Sequence, residues 1–282
     1  EDLPQDVARR VVGMHWFNPP RYMHLLEIVP SSKTDPAVAA ELGEWCDRVL
    51  GKGVVPCRDT PNFIGNRIGV GEMMLTNKAT FDGGYTVEEV DTLNGKLMGR
   101  PKTGSFRLGD LVGVDAAALV TSNLARSTSA DASSDNYDEL HAMMVVHPTL
   151  QKMFDKGLKG DKTGQGFYKK TRDDKGKRKI LSLDLNTLEY RDRIEPNFPE
   201  LKDINKKRDL AQRVHAALRC PGRAGDFLRK VYLALFNYSA NRVGAICDGP
   251  KEIDDAMRWA TAGNKACSGC GTRLAWRGPS SR

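Results

Sequence analysis

Apolar positions change their period along the chain, and each change marks an element. Val11-Val12-Gly13-Met14-His15 and His24-Leu25-Leu26-Glu27-Ile28-Val29 are short apolar runs on either side of Asn18-Pro19-Pro20. They predict two strands and a tight connection. Helical spacing follows: Val38, Leu42, Trp45 and Val49 share a face, with Asp35 the expected N-cap, Pro36 the first helical residue and Gly51 the stop. Val54-Val55-Pro56-Cys57 resumes a strand. Strand, helix and strand in this order predict the last part of an α/β sheet domain, left at Arg58-Asp59-Thr60-Pro61.

From Phe63 the period is helical as far as Phe81, breaks at Asp82-Gly83-Gly84, and restarts at the capping box Thr86-Val87-Glu88-Glu89. Asp226 is the expected cap of a helix running through Cys247, with a break at Asp248-Gly249-Pro250 and a new helix at Lys251-Glu252-Ile253-Asp254. Glu89-Val90-Asp91 aligns with Glu252-Ile253-Asp254, each after a long helix and an Asp-Gly break, so the helical part reads as a duplication. Between the copies, Gly166-Phe167-Tyr168 and Lys179-Ile180-Leu181 flank Asp173-Asp174-Lys175-Gly176, which predicts a β-hairpin insertion at the surface.

Composition narrows the class. A chain of 282 residues, 40% apolar and 28% charged, is of ordinary globular type with room for about two domains. No apolar run approaches the roughly 18 to 20 residues that cross a bilayer, and Glu1-Asp2-Leu3-Pro4 lacks the basic start of a signal peptide. No membrane span is expected, and a bacterial cytoplasmic location, with a mitochondrial or peroxisomal one left open. Without an initiator Met, and with strand-like sequence in the first dozen residues, the chain is expected to begin inside a domain. The net charge of +7 owes much to residues 156–179, which read as a solvated hairpin; aromatic interleaving is missing, so no nucleic-acid partner is expected. Six cysteines are too few and too scattered for a disulfide scaffold. Cys267-Ser268-Gly269-Cys270 has zinc-knuckle spacing without a second pair, so no metal site is expected. Gly157-Leu158-Lys159-Gly160-Asp161-Lys162-Thr163 fails as a phosphate loop, having an Asp before its Lys and no strand ahead of it.

His15 ends an apolar strand and Glu27 lies twelve residues on, across the Asn-Pro-Pro connection. A hairpin would bring them together. An imidazole bonded to a carboxylate has a fixed tautomer and suits a general base that takes a hydroxyl proton. Spacing alone favours the plainer arrangement, a capped core histidine beside a surface Glu, since His residues at strand ends often have structural partners.

Gly13-Met14-His15-Trp16-Phe17-Asn18-Pro19 followed by Leu26-Glu27-Ile28-Val29 resembles the active-site segment of the 3-hydroxyacyl-CoA dehydrogenases. The resemblance extends through Cys57-Arg58-Asp59-Thr60-Pro61-Asn62-Phe63-Ile64-Gly65-Asn66-Arg67 and Lys162-Thr163-Gly164-Gln165-Gly166-Phe167-Tyr168, and covers about Arg10 to Trp259. It implies an α/β remnant of a Rossmann-type dinucleotide-binding domain followed by two related, mainly α-helical domains. The expected divisions are 1–59 for the C-terminal part of the NAD-binding domain, 60–165 for the first helical domain, 166–200 for the hairpin insertion or linker and 201–259 for an incomplete second helical domain. Residues 260–282 are expected to be an out-of-frame tail, since the family's Gly-x-Phe segment and Trp-Asp pair are replaced there by a Cys/Gly/Arg/Ser run.

The activity implied is the NAD-dependent oxidation of (3S)-3-hydroxyacyl-CoA to 3-oxoacyl-CoA in fatty-acid β-oxidation. His15 would be the base, Glu27 its support, and Asn66 a hydrogen-bond donor to the substrate's oxygen. Asn18 would touch substrate or shape the Pro-rich turn. Acyl-CoA is the expected partner; a homodimer and an enoyl-CoA hydratase domain in the same polypeptide are left open. Two departures lead to the expectation of an inactive chain: no Gly-x-Gly-x-x-Gly turn for NAD is present, and the family's substrate-contacting serine would fall before Glu1. The alternative is a non-catalytic acyl-CoA-binding or dimerisation module. A smaller departure is Asn62 in place of glycine, where Asn tolerates a left-handed backbone.

Overall fold

The computed structural model describes residues 3–260. The expected tail and the Cys267–Cys270 pair lie outside the described residues, apart from Ala260. In chain order the elements are α1 (Gln5–Ala8), β1 (Val12–Trp16), β2 (Leu25–Pro30), α2 (Pro36–Leu50), β3 (Gly53–Pro56), α3 (Gly65–Gly83), α4 (Val87–Leu93), α5 (Phe106–Val112), α6 (Val114–Ser127) and α7 (Pro148–Asp155). Then follow β4 (Tyr168–Arg172), β5 (Arg178–Leu183), β6 (Tyr190–Asp192), α8 (Leu210–Arg219), α9 (Gly222–Arg242) and α10 (Pro250–Trp259). Among the described residues two units emerge, one of residues 3–69 and 236–260, the other of residues 70–235. Among the described residues no single helix is long and apolar enough to cross a membrane.

The first unit is built on a sheet of order β1-β2-β3, with β1 antiparallel and β3 parallel to β2. This is the α/β architecture the sequence predicts for the start of the chain. β2 is buried along its whole length save Pro30, as a strand covered on both faces must be. Alternation sends Leu26 and Ile28 to the face where α2 packs through Cys46, Ala39 and Leu42, and sends Glu27 to the other. Helix α2 has the ends its sequence predicts. Asp35 accepts from Ala37 N at 3.0 Å, Pro36 opens the first turn, and Gly51 (φ 62°) closes the last, its N–H reaching Asp47 O at 3.0 Å. The buried Lys52 that follows donates Nζ to Met23 O at 2.8 Å and to Pro20 O, tying down the β1–β2 connection.

The predicted helix from Phe63 begins two residues late, because Asn62 (φ 63°) and Phe63 (φ 52°) are left-handed and cannot join a right-handed helix. Asn62 thus takes the conformation expected of it. The expected cap at Asp226 is a second difference. α9 starts at Gly222, where Glu200 accepts from Ala224 N at 3.3 Å, and Asp226 sits inside the helix paired with Arg229. The same helix stops at Arg242 instead of Cys247, since Gly244 (φ 86°) turns back and its N–H meets Cys247 O at 2.9 Å. The repeated pattern of long helix, glycine break and shorter helix is present as α3–α4 and α9–α10.

In the second unit the capping box at α4 is formed in both directions, Glu89 N to Thr86 Oγ1 at 3.3 Å and Thr86 N to Glu89 Oε2 at 2.9 Å. One turn on, the half-buried Asp91 accepts from Phe106 N (2.6 Å), Arg107 N (3.0 Å) and Tyr168 Oη (2.7 Å), so a single carboxylate caps α5 and holds the start of β4. Asp110 takes Phe167 N and Tyr168 N at 2.8 and 2.9 Å. A side chain at Gly166 would fall onto that carboxylate, which accounts for the glycine in the Lys162–Tyr168 segment. The expected hairpin is a three-stranded antiparallel sheet, β4-β5-β6. It is more than a surface feature: Arg191 on β6 forks onto the buried Glu88 of α4 at 2.7 and 3.0 Å. The third strand is only three residues long, Tyr190–Asp192, too short to show a period.

Burial raises the Glu88 carboxyl, but Arg191 and Ile194 N outweigh it and hold the group below its ordinary value. Removing the guanidinium by Arg191→Ala leaves a buried carboxylate without its countercharge, at an expected cost of about 3 kcal/mol. Urea unfolding measures it, and a loss under about 1 kcal/mol would contradict the role given to this pair. Burial also pushes Asp91 up to about 7 and Asp110 up to about 6, against the hydrogen bonds each accepts. Both lie above an unfolded Asp at about 3.9, so the stability they contribute is full below that pH and is lost as pH rises through 6 and 7. Asp91→Asn is expected to flatten the fall of stability across that window in urea titrations; an unchanged slope would contradict the assignment.

Candidate functional site

The antiparallel register sets His15 of β1 directly opposite Glu27 of β2. Glu27 Oε2 contacts His15 Nδ1, while Oε1 accepts Ile64 N at 3.0 Å and Gly65 N at 2.7 Å at the start of α3. The Glu27 side chain is fully buried and that of His15 keeps 26% of its surface open. An acceptor-only carboxylate cannot donate, so the proton of this contact belongs to Nδ1 and Nε2 of the neutral ring is left as the acceptor. The two N–H groups at the head of α3, which a helix otherwise leaves without partners, are the natural seat for a carboxylate.

Aromatic rings close around the imidazole, Phe17 at 4.9 Å and Phe63 at 5.3 Å between centroids. Gly65 lies under Phe17: a Cβ there would come 2.6 Å from Cζ of that ring. The Cys57 thiol also neighbours Glu27, and burial together with that carboxylate pushes it well above its ordinary range. It is held as a neutral thiol, unsuited to act as a nucleophile.

Asn66 is the second residue of α3, next to the Gly65 N–H that Glu27 accepts, and is half-buried. His15 and Glu27 are therefore in direct contact, and Asn66 follows in sequence the Gly65 amide that Glu27 accepts. Asn18 is not drawn in: it is exposed on the β1–β2 connection, where the Asn18–Pro19 bond is cis, and bonds neither His15 nor Glu27. Phe17, Phe63, Cys57 and the Ile64 and Gly65 amides were missed in reading the sequence. Gly65 was the available signal, a glycine at a helix start where a bulky neighbour must approach. Among the described residues no three His, Cys, Asp or Glu side chains gather as metal ligands.

Two strand-to-helix junctions are present in this unit, and a carboxylate already occupies each helix N-terminus. Asp35 caps α2 while pairing with Arg9 at 2.9 Å, and Glu27 sits at the head of α3.

Comparison with known proteins bears on this geometry. Residues 3–60 match the family model described as 3-hydroxyacyl-CoA dehydrogenase, NAD binding domain, and residues 63–170 match the one described as 3-hydroxyacyl-CoA dehydrogenase, C-terminal domain. A protein of Bacillus subtilis (strain 168) named "Probable 3-hydroxyacyl-CoA dehydrogenase" is 38% identical over 92% of this chain and 31% of its own length. One of Rickettsia felis, named as a fatty acid oxidation complex trifunctional enzyme, is 30% identical over 92% of this chain and 33% of its own length. The chain thus spans about a third of the length of these two curated relatives. The crystal structure of 3-hydroxybutyryl-CoA dehydrogenase from Escherichia coli K12 aligns with a TM-score of 0.60 at 18% identity, covering 94% of this chain and 64% of that one, a likeness of fold.

Proposed function

The chain belongs to the 3-hydroxyacyl-CoA dehydrogenase family, and on that premise we propose that it carries the proton-abstracting part of the oxidation of (3S)-3-hydroxyacyl-CoA to 3-oxoacyl-CoA, a step of fatty-acid β-oxidation. The observation that carries this reading is the line from the head of α3 through Glu27 to His15 Nδ1, which leaves Nε2 as the basic atom. His15 takes the substrate's 3-hydroxyl proton on Nε2. Glu27 holds the ring in that tautomer and offsets the positive charge the ring then bears, as the third member of a triad does. Asn66 donates a hydrogen bond to the substrate's hydroxyl or thioester oxygen, and the Phe17 and Phe63 rings keep water from the imidazole. Asn18 shapes the turn between β1 and β2.

NAD is the cofactor of this family's N-terminal domain. The N-termini of α2 and α3, the helices that follow this unit's strands, do not fit its pyrophosphate, since Asp35 and Glu27 would place negative charge against negative charge. The part assigned to these residues is proton transfer alone. The trifunctional relative supports a place for the chain in a longer polypeptide that also carries an enoyl-CoA hydratase domain, and the bacterial relatives support a cytoplasmic setting.

The test joins this chain to the glycine-rich strand–helix segment of a relative and follows acyl-CoA oxidation. His15→Gln is expected to lower kcat by at least ~100-fold, the low end for loss of a general base, with acyl-CoA affinity nearly unchanged. A near-parental kcat would refute the base assignment.

A further inference from the structure

The second unit holds a cavity of about 530 Å³, within the size range of small-molecule sites, that takes no part in the His15–Glu27 reading. Lys96, Lys102, Arg107, Lys170 and Arg193 line it. They come from the 3₁₀ turn after α4, the loop before α5, α5 itself, β4, and the segment beyond β6. Such convergence is unlike a charge run along one solvated face, because the fold brings like charges together from distant positions. Two carboxylates share the lining. Asp161 is engaged by both Nη atoms of Arg107 at 2.6 Å and by Lys170 at 3.2 Å, and Asp91 is turned to its two amides and the Tyr168 hydroxyl. Lys96, Lys102 and Arg193 form no ion pair with another described residue, so their charge is available to a ligand. Leu97, Leu201 and Ile180 add an apolar surface beside them.

We propose that this cavity binds a phosphorylated small molecule of nucleotide type, its phosphates among Lys96, Lys102 and Arg193 and its apolar part against Leu97, Ile180 and Leu201. A guanidinium and two ammonium groups around one opening suit clustered phosphate oxygens, with Arg193 able to bond two at once. Arg107 and Lys170 share the Asp161 carboxylate, which offsets its negative charge in the lining and leaves Arg107 already ordered before a ligand arrives. The source is either a free nucleotide or the nucleotide end of coenzyme A.

Calorimetric titration of this chain with inorganic pyrophosphate, ADP and coenzyme A tests the site. ADP is expected to bind saturably, at least ~10-fold more weakly to Lys102→Glu/Arg193→Glu, and unchanged to Lys175→Glu, an exposed charge reversal at the β4–β5 turn. Those positions are exposed, so the variants should keep the parental melting curve. Coenzyme A bound like ADP marks a nucleotide site; coenzyme A bound at least tenfold tighter and still lost in the double variant marks a coenzyme A site. Either supports the proposal. No saturation by any of the three up to about 5 mM overturns it. So does an equal loss in Lys175→Glu, or displacement of ADP by oligonucleotides with affinity growing with their length. Coenzyme A binding that ignores the double variant, with no ADP binding, would also overturn it while leaving the His15 reading intact.

Discussion

A buried carboxylate has no water to satisfy it, and Glu27 must therefore find its donors within the protein. It finds them on two elements, the β1 imidazole and the first amides of α3. Satisfying one side chain thus fixes the register of β1 on β2, the angle at which the chain enters α3, and the tautomer of His15. The left-handed Asn62 and Phe63, which delay the helix until Gly65, aim its first N–H groups at Glu27, and Gly65 leaves room for Phe17 above them. The second unit uses the same device. The half-buried Asp91 and the buried Asp110 each collect amides and so decide where α5 begins and where β4 lies.

Much of this was legible in the sequence, for identifiable reasons. Strands and helices announced by period, and caps with side-chain chemistry at a fixed spacing, such as Asp35-Pro36 and Thr86–Glu89, took the forms expected. The pairing of His15 with Glu27 followed from two strands and a tight turn, which leave few registers. What escaped was set by tertiary partners. Asp226 looked like a cap, yet Glu200, from a distant turn, satisfies that helix N-terminus. β6 is too short to carry a period, and its place depends on Arg191 reaching Glu88 across the fold. Nor could the basic cavity be read from a window of sequence, since its cations are scattered between positions 96 and 193.

Membership of the family and the local geometry bear on different parts of the reaction. The NAD-binding and C-terminal domain matches identify what the residues descend from, over a stretch that is a third of the longer relatives. The geometry speaks only of the residues at hand: an imidazole held by a buried carboxylate, and carboxylates at the N-termini of α2 and α3.

The central claim, that Glu27 keeps the proton on Nδ1 so that Nε2 is the base, can be read directly from the imidazole nitrogens. Nitrogen-15 NMR of histidine-labelled protein, at a pH where His15 is neutral, should show the Nδ1–H tautomer with Nε2 unprotonated. In Glu27→Gln that preference should be lost. A His15 ring found as the Nε2–H tautomer, or one whose tautomer is indifferent to Glu27, would contradict the account.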